Sequence, residues 1–227
     1  MYRMLPYLPL FLALSTSSPF WQARRTGLKG YRLAAYDELP RTGVPELFRT
    51  QKEYDCYVSA LVRAGVIADS SYVWWAMRPS HGNPTLELRA PDCCTLVEDA
   101  IALAALYRTL VRHLYINRWR NCDLNAVQRA IVVENKWQAQ RHGVHATFVT
   151  EEGPVTVSEM LERVIDETAA DAAAFGCAAE INRCRAIAAS GTSADAQLAV
   201  FALHQEKDGR DAALRAVSEW IAAATLQ

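Results

Sequence analysis

Glu87 and Arg89 stand two residues apart in the run Thr85-Leu-Glu-Leu-Arg89. In an extended segment this alternation sends Thr85, Glu87 and Arg89 to one face, and Leu86 and Leu88 to the other. The leucine face can pack on a helix layer. The opposite face joins a carboxylate to a guanidinium, groups that rarely enter a sheet interior without partners. Arg78 lies on the preceding run, where Tyr72, Val73, Trp74 and Trp75 have high strand preference. Pro79, Ser80, Gly82, Asn83 and Pro84 separate the two runs, which predicts an antiparallel hairpin with a loop of about five residues. A sheet face that gathers Glu87, Arg89 and Arg78 suits a charged ligand: a metal ion, a phosphate or a carboxylate. The same pattern describes a solvated sheet face with a cross-strand ion pair, which is the commoner use of such residues.

The elements that position this face belong to a chain of 227 residues, 51% hydrophobic, with a net charge of −1. That length and apolar content suit one sizeable folded core and exclude disorder. The charge balance lacks the cationic excess that phosphate backbones demand, so no nucleic acid is expected as partner. Six cysteines occur, with no zinc-type spacing. They read as reduced, mostly buried thiols of a cytoplasmic protein. Near the N-terminus, Arg3 precedes the apolar run Met4 to Leu14 and the small residues Ser15 to Ser18. This has the outline of a signal peptide. Pro6 and Pro9 interrupt it, and a buried helix opening at one of these prolines is the preferred expectation, with no membrane association.

Helix signals dominate the rest. An amphipathic helix is expected from Arg49 to Ala64. After the hairpin, Asp92 or Thr95 can cap a helix running to about Asn117, and Asn125 opens another that ends before Gly143. Thr156 and Glu159 form a capping box for a long helix to about Ala189, stopped by Gly191. Ser193 starts the next, and Gly209 separates it from a last helix reaching Leu226. The chain therefore reads as one α+β domain: residues 1–91 carry loop, helix and sheet, and residues 92–227 are nearly all helix.

Two further constellations carry weaker chemistry. His142 and His145 flank a helix end, and a C-terminal histidine that suits the helix dipole is the better account of His142 than a metal ligand. Glu134, Asn135, Lys136 and Arg141 form either a solvated charge ladder or the lining of a cleft. No glycine-rich phosphate loop and no GxSxG elbow is present.

The segments LPLFLALSTSSPFWQARRTGLKGYR, ELPRTGVPELF, MRPSHGNPTLELRAPD, ENKWQAQRHG and GTSADAQLAVF, in that order, resemble the carboxylate-amine ligases related to type 2 glutamate–cysteine ligases. The resemblance implies a partial antiparallel sheet of the glutamine synthetase-like fold, with a mostly helical C-terminal half. It implies ATP and Mg2+ as cofactors, a glutamate-like carboxylate and an amine as substrates, and an acyl-phosphate intermediate. By resemblance Glu87 is a candidate metal ligand, and Arg89 and Arg78 are candidate catalytic binders of phosphate or carboxylate. Arg24 and Arg32 are weaker candidates for the cofactor in the same cleft. Two departures stand out. The family's leading strand motifs, which supply further acidic metal ligands, precede the LPLFLALS helix and do not occur here. Arg25 also stands where the family usually has an acidic residue. The resemblance thus implies either an ATP-dependent ligase, acting alone or completed by a partner chain or second copy that covers the sheet, or a non-catalytic assembly module derived from one.

Overall fold

The computed structural model describes residues 1–226, an α+β arrangement of nine α-helices and three small antiparallel hairpins among those residues. A 3-10 turn, Tyr2–Tyr7, runs into α1, Leu8–Ser15, in which every residue is buried. A helix apolar all round belongs at the centre of a core, and α1 packs on α5, α4, α6 and α7. The expected buried helix is therefore present, with Pro9 in its first turn, where a missing N–H costs nothing.

A short hairpin and two helices follow before the hairpin of interest. Strands β1, Phe20–Trp21, and β2, Arg24–Arg25, are joined by Gln22 and Ala23, both at positive φ. That pair of left-handed residues makes the tight turn that matches strand twist. The short helix α2, Tyr31–Tyr36, and then α3, Gln51–Arg63, come next; α3 is capped reciprocally by Thr50 and Glu53. Its apolar side closes a satellite cluster of Tyr54, Ile67, Val73 and Trp75.

The predicted hairpin forms from β3, Met77–Pro79, and β4, Leu86–Leu88. It is shorter than the sequence pattern suggests. Ser70–Tyr72 is a 3-10 turn, and Trp74 and Ala76 instead donate to the carbonyls of Arg41 and Gly43, both at 2.8 Å. The antiparallel sheet is small and divided among the described residues: each of the three hairpins stands as a separate two-stranded unit.

The helical half begins with α4, Val97–Ile116. Neither Asp92 nor Thr95 caps it; Leu96 holds the N-cap position without a side-chain bond. Helix α5, Ala126–His142, has the expected start, with Asn125 and Gln128 forming a capping box. A hairpin that sequence reasoning did not anticipate follows: β5, Thr147–Thr150, pairs with β6, Gly153–Thr156. The Thr156 box then opens α6, Val157–Phe175. The expected single helix to Ala189 is broken at Gly176, which takes the left-handed conformation that ends a helix. Helix α7, Ala178–Ser190, restarts at once. Helices α8, Ser193–Asp208, and α9, Arg210–Thr225, complete the fold as an antiparallel pair. The stretch Ala178–Asp208 is apolar enough by length and composition to cross a membrane, and here it is two helices parted at Gly191.

Candidate functional site

Register decides the geometry of the hairpin face. Arg78 pairs directly with Glu87, Met77 with Leu88, and Pro79 with Leu86. Leu86 and Leu88 lie against the main core, as the alternation requires. Arg78 Nε donates to Glu87 Oε2 at 2.9 Å, and Arg89 Nη1 stands 3.8 Å from the same oxygen. The three charged residues therefore meet on one face, and part of what they form is the cross-strand ion pair that the sequence also allowed.

Their surroundings differ. Arg78 is buried, and its Nη1 donates to the carbonyls of Ser71 at 2.5 Å and Val73 at 2.8 Å. It holds an irregular segment that has no sheet partner to satisfy its carbonyls. Glu87 and Arg89 keep 31% and 30% of their side chains exposed, enough for a solute to reach them. Partial burial pushes the Glu87 carboxyl up, but hydrogen bonds from Arg78 and Ser80 and the charges of Arg78 and Arg89 outweigh it, so it sits below the ordinary glutamate value.

Arg89 also borders an open cavity of about 320 Å³, lined by Arg32, Arg89, Pro91, Asp92 and Cys93. Arg32 is anchored there: its Nη2 donates to the carbonyls of Arg89 at 2.7 Å and Pro91 at 2.5 Å. Its Nε faces Asp92 Oδ1 at 3.3 Å. Arg24 is exposed on β2 and does not line this cavity. So Arg78, Glu87 and Arg89 come together, Arg32 joins them through Arg89, and Arg24 stands apart.

Sequence reasoning missed Asp92 as a member of this site. It reads locally as a helix cap, yet its carboxylate accepts from Ser17 N at 3.0 Å and Ser18 Oγ at 2.6 Å. The two serines sit in the STSSPF run, whose hydroxyls were the available signal.

The other constellations resolve into structural roles. Asn135 is buried and binds Val149 at both ends: Nδ2 donates to the carbonyl at 2.8 Å, and Oδ1 accepts the N–H at 2.7 Å. Lys136 pairs with Asp37, and Arg141 donates to the Gly27 carbonyl. His142 carries a lowered pKa, first through burial and then through the charges of Arg141 and Lys29. His145 Nε2 lies 3.6 Å from Asp195, which also pairs with Lys29. All six cysteines are free, but Cys56, Cys93 and Cys122 are exposed, against the expectation of mostly buried thiols. Burial pushes Cys94 and Cys184 up to about 12, which keeps them protonated and unreactive.

Comparison with known proteins gives this geometry its context. The family model described as glutamate-cysteine ligase family 2 (GCS2) matches residues 1–218. A protein of Bradyrhizobium sp. (strain ORS 278) named "Putative glutamate--cysteine ligase 2" is 59% identical over 226 residues, covering 100% of this chain and 54% of that protein. A protein of the same name from Bradyrhizobium diazoefficiens is 57% identical over 226 residues, covering 100% of this chain and 52% of that protein. Another from Rhodospirillum rubrum is 44% identical over 225 residues, covering 97% of this chain and 57% of that protein. The chain spans about half the length of these curated relatives.

Proposed function

This chain belongs to glutamate-cysteine ligase family 2, and on that premise we propose that it forms the arginine-bearing wall of an ATP-dependent carboxylate–amine ligase site. The substrates in this reading are a glutamate-like carboxylate and an amine, joined through an acyl phosphate in a glutamine synthetase-like fold. The observation that carries it is the placement of Arg89, which stands on the Glu87 face and also lines the cavity shared with Arg32. A half-buried guanidinium beside an anchored one suits a carboxylate or phosphoryl group, because planar N–H pairs match planar or trigonal oxygens. Cations placed there lessen the repulsion between two anionic reactants.

The residues present do not fit magnesium. Glu87 is a single carboxylate whose Oε2 already faces two guanidinium groups. No group of three or more His, Cys, Asp or Glu able to hold a metal occurs among the described residues. Magnesium asks for near-octahedral oxygen ligands. We therefore read Glu87 as the anchor of Arg78 and Arg89, and place the metal ligands outside these residues. Arg78 is a strut rather than a binder, and Arg24, exposed on β2, does not line the cavity and is given no role.

A second reading has its own observation: the closed Arg78–Glu87 pair, with Arg78 buried, is what a non-catalytic assembly module derived from such a ligase would keep. In that reading a second copy or a partner chain covers the hairpins. The test is phosphate release from ATP with glutamate and cysteine, in the cytoplasm-like reducing buffer that six free thiols require. The isolated chain should turn over little. A fusion carrying the stretch of the Bradyrhizobium relative that this chain does not span should restore release, and Arg89→Ala should remove it. A fusion that stays inactive while the intact relative works would favour the assembly module.

A further inference from the structure

Asp92 is only 5% exposed, and its bonds converge on Arg32. Its Oδ2 accepts from Ser17 N at 3.0 Å and Ser18 Oγ at 2.6 Å, and its Oδ1 faces Arg32 Nε at 3.3 Å. The Ser18 hydroxyl also accepts the backbone N–H of Arg32 at 2.9 Å. Asp92 N in turn donates to Ser15 Oγ at 3.0 Å. The STSS run at the end of α1 thus holds the carboxylate through Oδ2 and the Asp92 backbone through its N–H, leaving Oδ1 to face Arg32.

Arg32 is consumed along one edge only. Nε goes to Asp92, and Nη2 goes to the carbonyls of Arg89, Pro91 and, at 3.4 Å, Ala90. Nη1 has no protein partner among the described residues, and Arg32 lines the same cavity as Arg89. A guanidinium is a rigid plane, so holding Nε and Nη2 fixes the direction of the Nη1 donors. A lysine in this place has one nitrogen and could not span a carboxylate and three carbonyls.

We propose that Asp92 is a positioning residue that locks Arg32, so that its Nη1 edge and the Arg89 guanidinium form a two-arginine receptor for a small oxyanion, a carboxylate or a phosphate. The inference rests on the reading of this cavity as part of the ligase site, and goes beyond it by assigning how the receptor is preorganised. Arg32 then acts in two ways: it grips the Arg89 backbone and presents two donors of its own. A neutral side chain at position 92 would free the guanidinium to rotate, and affinity would fall because ordering it again on binding costs entropy.

The test uses the chain as it stands. Inorganic phosphate and L-glutamate are titrated separately by calorimetry, which distinguishes the two sources of the oxyanion. Arginine side-chain NMR reports the Arg32 Nε–H. In the wild type this signal should be resolved and slow to exchange. In Asp92→Asn it should move and exchange rapidly, and affinity for the preferred anion should drop on the order of tenfold. Arg32→Lys should bind no better than Asp92→Asn. Should Asp92→Asn fold poorly, Ser18→Ala removes one support of the same carboxylate and should give a smaller loss in the same direction. If Asp92→Asn and Ser18→Ala bind the anion like wild type while Arg89→Ala does not, the positioning role is wrong and the cavity reading survives. If neither anion binds the wild type, or Arg89→Ala changes nothing, the cavity reading falls and the inference with it.

Discussion

Arg78 and Arg89 share a face and differ in what they hold. Arg78 satisfies the Ser71 and Val73 carbonyls, which have no other donor among the described residues, so its loss leaves those acceptors unpaired and Glu87 without its cross-strand partner. Arg78→Ala should destabilise the fold by about 2–4 kcal/mol in urea titrations. Glu87→Ala should cost less than about 1 kcal/mol, since its partly exposed pair is screened by solvent. Equal losses in the two variants would mean that the carbonyls of Ser71 and Val73 find water instead. The depressed Glu87 carboxyl adds a pH signature. A carboxyl whose folded value lies below its unfolded one stabilises in full above the ordinary glutamate range, and that contribution fades as pH falls through the folded value. Glu87→Gln should flatten this acid limb of the stability profile; an unchanged limb would assign it to other acids. At this scale the period-two alternation made the shared face of Glu87 and Arg89 legible. The carbonyls that occupy Arg78 and the bond between Asp92 and the distant serines were not, because contacts between far-apart residues leave no local pattern.

Among the elements, capping chemistry was the most readable feature. Thr156 with Glu159 opens α6 where its spacing places it, and the helices expected from Arg49 and Asn125 begin close by, capped by Thr50 with Glu53 and by Asn125 with Gln128, whereas α4 has neither of its expected caps. The misses also have physical causes. Gly176 looked like one more small residue in an alanine-rich run, yet it ends α6 in the left-handed conformation. Hairpin β5–β6 is built from β-branched residues on either side of Glu151-Glu152-Gly153, a signal masked by the neighbouring helices. Its edge is closed by a side chain rather than a strand, since Asn135 gives Val149 both a donor and an acceptor. Asn135→Ala should cost about 1–3 kcal/mol, the penalty for leaving the partly buried Val149 N–H and carbonyl without partners. Asn135→Asp should also destabilise, because a carboxylate can accept the Val149 N–H but sets an oxygen against the Val149 carbonyl. A neutral Asn135→Ala would show that this edge is wet. Two glycines offer a graded comparison. Gly176 has open space where a Cβ would go, so alanine there meets only backbone strain, about 1 kcal/mol. At Gly143 a Cβ would also lie 2.9 Å from Thr16 Oγ1 and 3.0 Å from Lys29 Cδ. Gly143→Ala should therefore lower the thermal midpoint more than Gly176→Ala.

Across the whole molecule, apolar burial is uneven. The large cluster runs from α1 through α4, α5, α6 and α7, whereas α8 and α9 share a small one of Phe201, Ala213 and Val217. This helical pair meets the rest through the Phe20–Phe201 ring contact, with centroids 5.1 Å apart, and through polar ties. Thr192 Oγ1 bonds Thr16 Oγ1 at 2.8 Å, and Ala194 N donates to the Thr16 carbonyl at 3.0 Å. Gln197 Nε2 donates to the Ser17 carbonyl at 2.9 Å, Asp195 pairs with Lys29, and Arg210 donates to the Ala23 carbonyl at 2.6 Å. These ties end within residues 16–29, the stretch whose serines feed Asp92, and two more reach elsewhere: Ser193 Oγ bonds Thr95 Oγ1 at 2.5 Å and Asp195 lies 3.6 Å from His145 Nε2. Segments with little apolar burial open first and independently of global unfolding. Native-state hydrogen exchange should accordingly show the amides of α8 and α9 exchanging at least roughly tenfold faster than those of α4 and α6. Asp195→Asn weakens the Lys29 tie and the Thr192 cap together, because Asp195 accepts the Thr192 N–H at 2.9 Å. It should speed exchange in α8 and in the Ser17 and Ser18 amides while leaving α4 unchanged. If the helical pair exchanges only with the core, or if Asp195→Asn disturbs α8 without reaching Ser17, the pair is not coupled to the loop that braces Asp92. In that case the cavity's arginines are held by the core alone.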